Sequence, residues 1–244
     1  MDLQKLYSHT RKAIQNYHLI EPHDRIAVGI SGGKDSLTLL YALAGLKQFY
    51  PVPFELEAIT VDLGFGMCYD SISALCRQLQ VNYTIVPTRI AEIVSERSKE
   101  TYSCSLCAKL RKGALNEQAL SLNCTKIAYA HHKDDVVDTL IMSMYYENRL
   151  YSFAPYTYLD HTNLALIRPL IYVSEGEILS FKEKYHLPVV ENLCPADGTT
   201  KRTQVHTLID TLSKSYPGLR QHLFSAIEHS DIMDWVHARQ RSNK

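Results

Sequence analysis

An apolar run from Ile26 to Ile30 leads straight into Ser31-Gly32-Gly33-Lys34-Asp35-Ser36, and an apolar-periodic segment, Leu37 to Leu46, follows at once. The run reads as a buried strand and the periodic segment as a helix. A strand that enters a helix through two glycines lets backbone N–H groups and the helix N-terminus close around an anion, and Lys34 adds a mobile positive charge. The stretch therefore predicts a phosphate site within an α/β fold. It is not a Walker A loop, which needs four residues between its glycines and Ser or Thr directly after Lys; here Asp35 follows Lys34.

Further strand-like runs lie at Leu56 to Asp62, Tyr83 to Pro87, Lys126 to His131 and Leu164 to Leu170, with helical patterns between them. From Asp134 to Tyr146, the residues Val136, Val137, Leu140, Ile141, Met144 and Tyr145 share one stripe of a helix, expected to face a sheet. Strands alternating with helices predict an α/β, doubly wound, mostly parallel five-stranded sheet built through right-handed crossovers. Ligands of such sheets sit beyond the carboxyl ends of the strands, so Ser31, Asp62 and His131 are expected on one rim. Leu3, Leu6, Ile14 and Tyr17 predict an N-terminal helix within residues 1–20. Leu219, Leu223, Ile227 and Trp235 predict a C-terminal helix in a tail over residues 200–244, both packing on one domain that spans residues 1–244. Tyr151 to Asn163 shows no clear period and reads as a loop before the fifth strand, placed to cover the site.

Composition narrows the partners. Lys plus Arg equals Asp plus Glu at 26 each, so any nucleic-acid-binding surface must be local. The opening segment is amphipathic without an apolar signal core, and no run reaches the roughly 18 apolar residues of a membrane span. A cytoplasmic protein without a membrane partner is the expectation. Six cysteines are too sparse for a disulfide scaffold, and an intracellular setting favours metal binding or catalysis for a close pair.

Cys104 and Cys107 form such a pair, with Cys194 far beyond it. A thioredoxin-like redox pair belongs at the start of the first helix of a small βαβ unit, which is not where this one falls. Zinc would need a fourth ligand, for which His132 is a weak candidate. Three thiolates can instead hold a 4Fe-4S cluster with one iron open, although cluster proteins commonly supply four. Cys68, Cys76 and Cys124 fit no motif and read as inert thiols. Ala130-His131-His132-Lys133-Asp134-Asp135 falls where the fourth strand meets its helix, and its acidic residues suit both helix capping and a phosphate-facing site. Arg111 and Lys112 after the cysteine pair, and Lys201 and Arg202, read equally as a solvated face or as phosphate contacts. Arg168 closes the fifth strand and is a better active-site candidate, with a structural ion pair as its alternative.

Ser31 to Ser36 resembles the pyrophosphate loop of the N-type (PP-loop) ATP pyrophosphatases, and His131 through Thr139 resembles the HHxDDxxET signature of thiolating and lysidine-forming tRNA enzymes, with Asp138 where Glu is usual. Tyr102 to Gly113, Ile167-Arg168-Pro169-Leu170 and Asn192-Leu193-Cys194 resemble the TtcA-like tRNA-cytidine 2-sulfurtransferase family, a likeness covering most of Arg25 to about Tyr216. The resemblance implies a Rossmann-like PP-loop ATPase fold in which Ser31, Gly32, Gly33 and Ser36 hold phosphate, Lys34 stabilises departing pyrophosphate and Asp35 helps bind Mg2+. By it, Asp62, His131 and Arg168 also belong to the nucleotide site, and Asp134 and Arg111 join Lys34 and Asp35 as catalytic residues. Cys104, Cys107 and Cys194 then hold a 4Fe-4S cluster.

The implied chemistry is sulfur transfer to tRNA. The C2 oxygen of a cytidine in the anticodon loop, at position 32, is adenylated by ATP, and sulfur from a donor such as a cysteine desulfurase replaces it. A homodimer is compatible with this reading. The rivals are thiolation of another tRNA base or a small molecule, lysidine formation, and a non-catalytic ATP or cluster sensor.

Overall fold

The computed structural model describes residues 1–97, 103–191, 193–194 and 201–241. Tyr102 and Asn192 of the motifs above, and the ends of the tail at residues 200 and 242–244, lie outside the described residues.

Six strands form one sheet in the order β3-β2-β1-β4-β6-β5. They are β1 (Asp24–Gly29), β2 (Phe54–Asp62), β3 (Asn82–Pro87), β4 (Lys126–Ala128), β5 (Tyr156–Leu159) and β6 (Leu164–Ile167). Every neighbouring pair is parallel except β5 on β6. The mostly parallel, doubly wound sheet expected from sequence is what forms, with one strand more than the five strand-like runs. The extra strand is β5, inside the segment Tyr151 to Asn163 that reads as a loop. As an antiparallel edge strand it needs no apolar face on both sides, and Tyr158 is half exposed. A short turn closed by Asn163 in the left-handed region (φ 54°) joins it to β6.

Ten helices surround the sheet among the described residues: α1 (Leu3–Tyr17), α2 (Lys34–Lys47), α3 (Asp70–Gln78), α4 (Ile90–Arg97), α5 (Cys104–Ser121), α6 (Lys133–Glu147), α7 (Glu175–Lys184), α8 (Lys201–Ser215), α9 (Leu219–Glu228) and α10 (Met233–Arg241). Strand alternation sorts the core onto two faces. Ile26, Val28, Leu56 and Ala58 pack with α1, α2, α7, α9 and α10, whereas Ala27, Ile59 and Val61 pack with α4 and α5. The stripe on α6 is buried only at its start. Val136 and Val137 are sealed in the main core, but Met144 and Tyr145 are exposed, and α6 packs chiefly against α8 and α9 instead of laying its whole stripe on the sheet as expected. The predicted C-terminal helix is divided in two: the Ser230 hydroxyl donates to the Ile227 carbonyl and accepts from the Ile232 N–H, ending α9 before α10 begins.

Trp235 on α10 is fully buried, edge-on to Tyr17 of α1 (6.1 Å) and Phe224 of α9 (6.0 Å), so it ties the two chain ends together. Trp235→Ala is expected to cost about 3–5 kcal/mol in urea unfolding followed by far-ultraviolet circular dichroism. Trp235→Phe should cost less, since the indole Nε1 is buried without a hydrogen-bond partner.

Candidate active site

The helix that follows β1 begins without a side-chain cap: Gly33 holds the N-cap position of α2 and offers none. Its first-turn N–H groups therefore face an open anion site, with the positive end of the helix dipole behind them. Gly32 has φ +86°, where a side chain is strained, and a Cβ there would stand 3.3 Å from the Val190 Cβ. The loop is held by its own serines. Ser36 Oγ donates to the Gly33 carbonyl (3.0 Å) and accepts from the Ser31 N–H (3.2 Å), while the Gly33 N–H donates to Ser31 Oγ (3.3 Å). From outside, the Val190 N–H donates to the Gly32 carbonyl (3.0 Å).

This loop opens on a cleft of about 650 Å³ across the carboxyl ends of β1, β2, β4 and β6. Ser31, Gly33, Asp35 and Ser36 line it, together with Arg111, His131 and Arg168 from distant elements. The expected rim of Ser31 and His131 thus forms. Asp62 closes β2 beside it, accepting from the Gly64 N–H (3.1 Å) and the Tyr69 hydroxyl (3.3 Å), and Tyr69 itself lines the cleft.

Lys34 Nζ lies 3.1 Å from Asp35 Oδ1 and 3.0 Å from Glu175 Oε1. Partial burial works against its charge, but the two carboxylates outweigh that and raise its pKa. Asp35 Oδ1 is buried with no hydrogen bond, its charge met only by the Lys34 ammonium and the more distant His132 ring (3.8 Å), so a second cation could join it there. Asp134 and Asp135 diverge. Asp135 lines the cleft, accepts from the His132 N–H (3.1 Å) as a helix cap does, and pairs with Arg202 (3.0 Å). Asp134 points away, accepting from the Glu175 N–H (2.7 Å) and facing Arg220 (3.4 Å). Burial pushes the Asp134 carboxyl up, but His132, the Glu175 N–H and Arg220 together hold it down at about 2.

The paired histidines are shifted in opposite directions. His132 is buried against Asp35, Asp134 and Asp135, which overcome its burial and raise its pKa. His131 is driven down to about 3, first by burial and then by the Arg168 guanidinium. Glu175, His206 and Arg220, which no motif signalled, complete a charge network with Arg202, which pairs with Asp135 where the sequence offered it as a solvated or phosphate-contacting residue. His206 bridges Asp138 (2.7 Å) and Glu175 (3.2 Å), and Arg220 bridges Asp138 (3.1 Å) and Asp210 (2.8 Å). Only the basic character of α8 could have pointed there.

Cys104 and Cys107 occupy the first turn of α5 behind a Ser103 cap. They stand four residues before Ala108 and Arg111, so they share the helix face that lines the cleft. Cys194 is four residues beyond Val190, the residue pinned to Gly32. Among the described residues no three His, Cys, Asp or Glu side chains converge as a metal site, and Cys104 and Cys194 each border a stretch outside them.

An anion cradle at a helix N-terminus, at the carboxyl edge of a parallel sheet and flanked by carboxylates, defines a nucleotide-phosphate cleft. A PP-loop domain model matches residues 4–211. The chain is 37% identical over 228 residues to the tRNA-cytidine(32) 2-sulfurtransferase of Geobacter sulfurreducens, covering 92% of this chain and 89% of that protein. It is 34% identical to the enzyme of the same name from Aliivibrio fischeri, covering 93% of this chain and 75% of that one. Among solved structures, the U34-tRNA thiolase NcsA from Methanococcus maripaludis with its [4Fe-4S] cluster superposes with a TM-score of 0.75 at 24% identity, over 93% of this chain and 77% of that one, and so shares the fold. The chain belongs to the PP-loop family and, within it, to that of the tRNA-cytidine(32) 2-sulfurtransferases.

Asp134 generates an acid-stability prediction. Its folded pKa, about 2, lies below the ordinary aspartate value of 3.8, so its contribution is present above that value and is lost as pH falls toward 2. Asp134→Asn should destabilise the protein at pH 7 by about 2 kcal/mol, and the gap from the parent should close between roughly pH 4 and 2 in chemical denaturation.

Proposed function

We propose that this chain adenylates the C2 oxygen of cytidine 32 in a tRNA anticodon loop with ATP and replaces that oxygen with sulfur, releasing AMP and pyrophosphate. The observation that carries the reading is the opening onto one cleft of the phosphate cradle and of Ala108, Arg111 and Lys112 of α5, the helix whose first turn carries the cysteine pair.

The bare N-terminus of α2, with Ser31, Gly32, Gly33 and Ser36, holds the β- and γ-phosphates. Lys34 leaves its carboxylate partners to meet charge that builds on the departing pyrophosphate. Asp35, once Lys34 turns to the phosphates, and Asp135 would hold Mg2+ against them. Asp62 shapes the rim through Tyr69, and Arg111, exposed on α5 at the cleft, meets phosphate of ATP or RNA. Asp134 serves through position, fixing the start of α7 and so the Glu175 that holds Lys34.

Three thiols, two of them on one turn at a helix N-terminus, suit a 4Fe-4S cluster held by Cys104, Cys107 and Cys194. When bound, it supplies an open iron at which sulfur is presented. The target base must leave its stack, which a single-stranded loop makes easy. The partners on this reading are tRNA and a sulfur donor such as a cysteine desulfurase, in the cytoplasm; a homodimer would cover the exposed Leu208 and Leu212 of α8 and Tyr216 just past it. The whole chain acts as one unit, since Phe224, Ile227 and Trp235 beyond the matched PP-loop region join the main core.

Nucleoside mass spectrometry of tRNA from cells with and without the gene decides the substrate: 2-thiocytidine should vanish, and unchanged thionucleosides would overturn the proposal. Lys34→Ala should lower AMP formation by about 100-fold or more and leave the visible absorption of anaerobically purified protein intact. Cys107→Ser should instead remove that absorption and the bound iron.

A further inference from the structure

Arg168, just past β6, is only 6% exposed. Its Nη1 donates to the Ala154 carbonyl (2.6 Å) and to Thr157 Oγ1 (3.1 Å), and its guanidinium lies over the Phe153 ring at 4.8 Å. Phe153 packs in turn against the His131 ring, with centroids 4.6 Å apart. Held this way, Arg168 directs Nε–H at His131 Nδ1 (3.4 Å). A guanidinium can only donate, so Nδ1 is the acceptor and the ring proton sits on Nε2. Nε2 has no protein hydrogen-bond partner among the described residues, is not sealed in the interior, and belongs to a residue that lines the cleft.

The cleft has two halves about the phosphate loop. On the β2 side, Ile59, Val61, Leu63, Met67 and Tyr69 form an apolar wall suited to the adenine of ATP. The β4 and β6 side, with Tyr129, His131 and Arg168, is left for the base that attacks the α-phosphate. We infer that Arg168 locks the His131 imidazole in its Nε2–H form, so that the cleft presents a fixed donor that accepts cytosine, whose ring N3 is an acceptor, and rejects uracil, whose N3 carries a proton.

This inference rests on the tRNA reading and names how that site chooses its base. In the first step the O2 lone pair forms the O–P bond while the P–O bond to pyrophosphate breaks, its electrons leaving on pyrophosphate. A donor at N3 orients the base beside the reacting oxygen without occupying that oxygen. Uracil would set two donors face to face and leave both unpaired. The groups facing His131 keep the lock closed: Arg168, Arg202 and His132 oppose a second ring proton, as burial does, against Asp135 alone. Tyr129 stands 5.7 Å away on its own strand end.

The test uses the holoenzyme and two anticodon-loop RNAs that differ only by C or U at the target position. The parent should favour C by about tenfold to a hundredfold in kcat/KM. His131→Gln retains an N–H but can turn its amide to present oxygen, and Arg168→Met frees the tautomer; both should bring the C-to-U ratio toward one. The ratio does not depend on the folded fraction, so a merely structural loss leaves it unmoved, and an unchanged ratio in both variants overturns the inference. In parallel, nitrogen-15 NMR of histidine-labelled parent should show His131 as Nε2–H at pH 7; an Nδ1–H or doubly protonated ring overturns the lock whatever the substrate. A parent that thiolates neither RNA overturns the tRNA reading and base selection with it, while the NMR result still decides the tautomer by itself.

Discussion

The uncapped N-terminus of α2 is the constraint around which the carboxyl edge of the sheet is arranged. β1 sits centrally, parallel to β2 and β4, and delivers the chain into α2 through a glycine in the left-handed region and another at the N-cap. Neither glycine has a side chain to cap the first-turn N–H groups. Unsatisfied N–H groups and the helix dipole therefore make a standing positive site, which an anion completes. The loop keeps its shape through Ser31 and Ser36 and through the Val190 contact, so the cradle is formed before any phosphate arrives.

Around this centre, ionised groups are distributed by element. Lys34 is shared between Asp35 of its own helix and Glu175 of α7, and Glu175 is fixed by Asp134 and His206. Arg202 and Arg220 bring α8 and α9 onto the acidic start of α6. The C-terminal helices are thereby part of the electrostatics of the site as well as of the core. Adjacent histidines are shifted in opposite directions for a simple reason: three carboxylates surround His132, whereas an arginine and two aromatic rings surround His131.

Much of the fold was legible because buried parallel strands are short apolar runs and amphipathic helices keep their period. Edges were not. β5 carries Tyr-Thr-Tyr-Leu against one neighbour only, so its pattern lacks the apolar density of an interior strand. Likewise, the stripe on α6 ends exposed at Met144 and Tyr145, since periodicity shows which face a residue shares but not whether anything lies opposite.

By itself, the sequence determined the local chemistry: an anion cradle at Ser31 to Ser36, two thiols one helical turn apart at Cys104 and Cys107, and histidines with carboxylates at a strand end. These are properties of spacing within one or two turns, where backbone geometry alone sets which groups are neighbours. The tertiary structure decided which of them meet. It turned Asp135 to the cleft and Asp134 to α7, set Arg168 against His131 across Phe153, and engaged Lys34 with Glu175. Each of those pairings joins groups from separate elements, and their relative positions follow from the packing of the sheet and its helices, which no short stretch of sequence encodes.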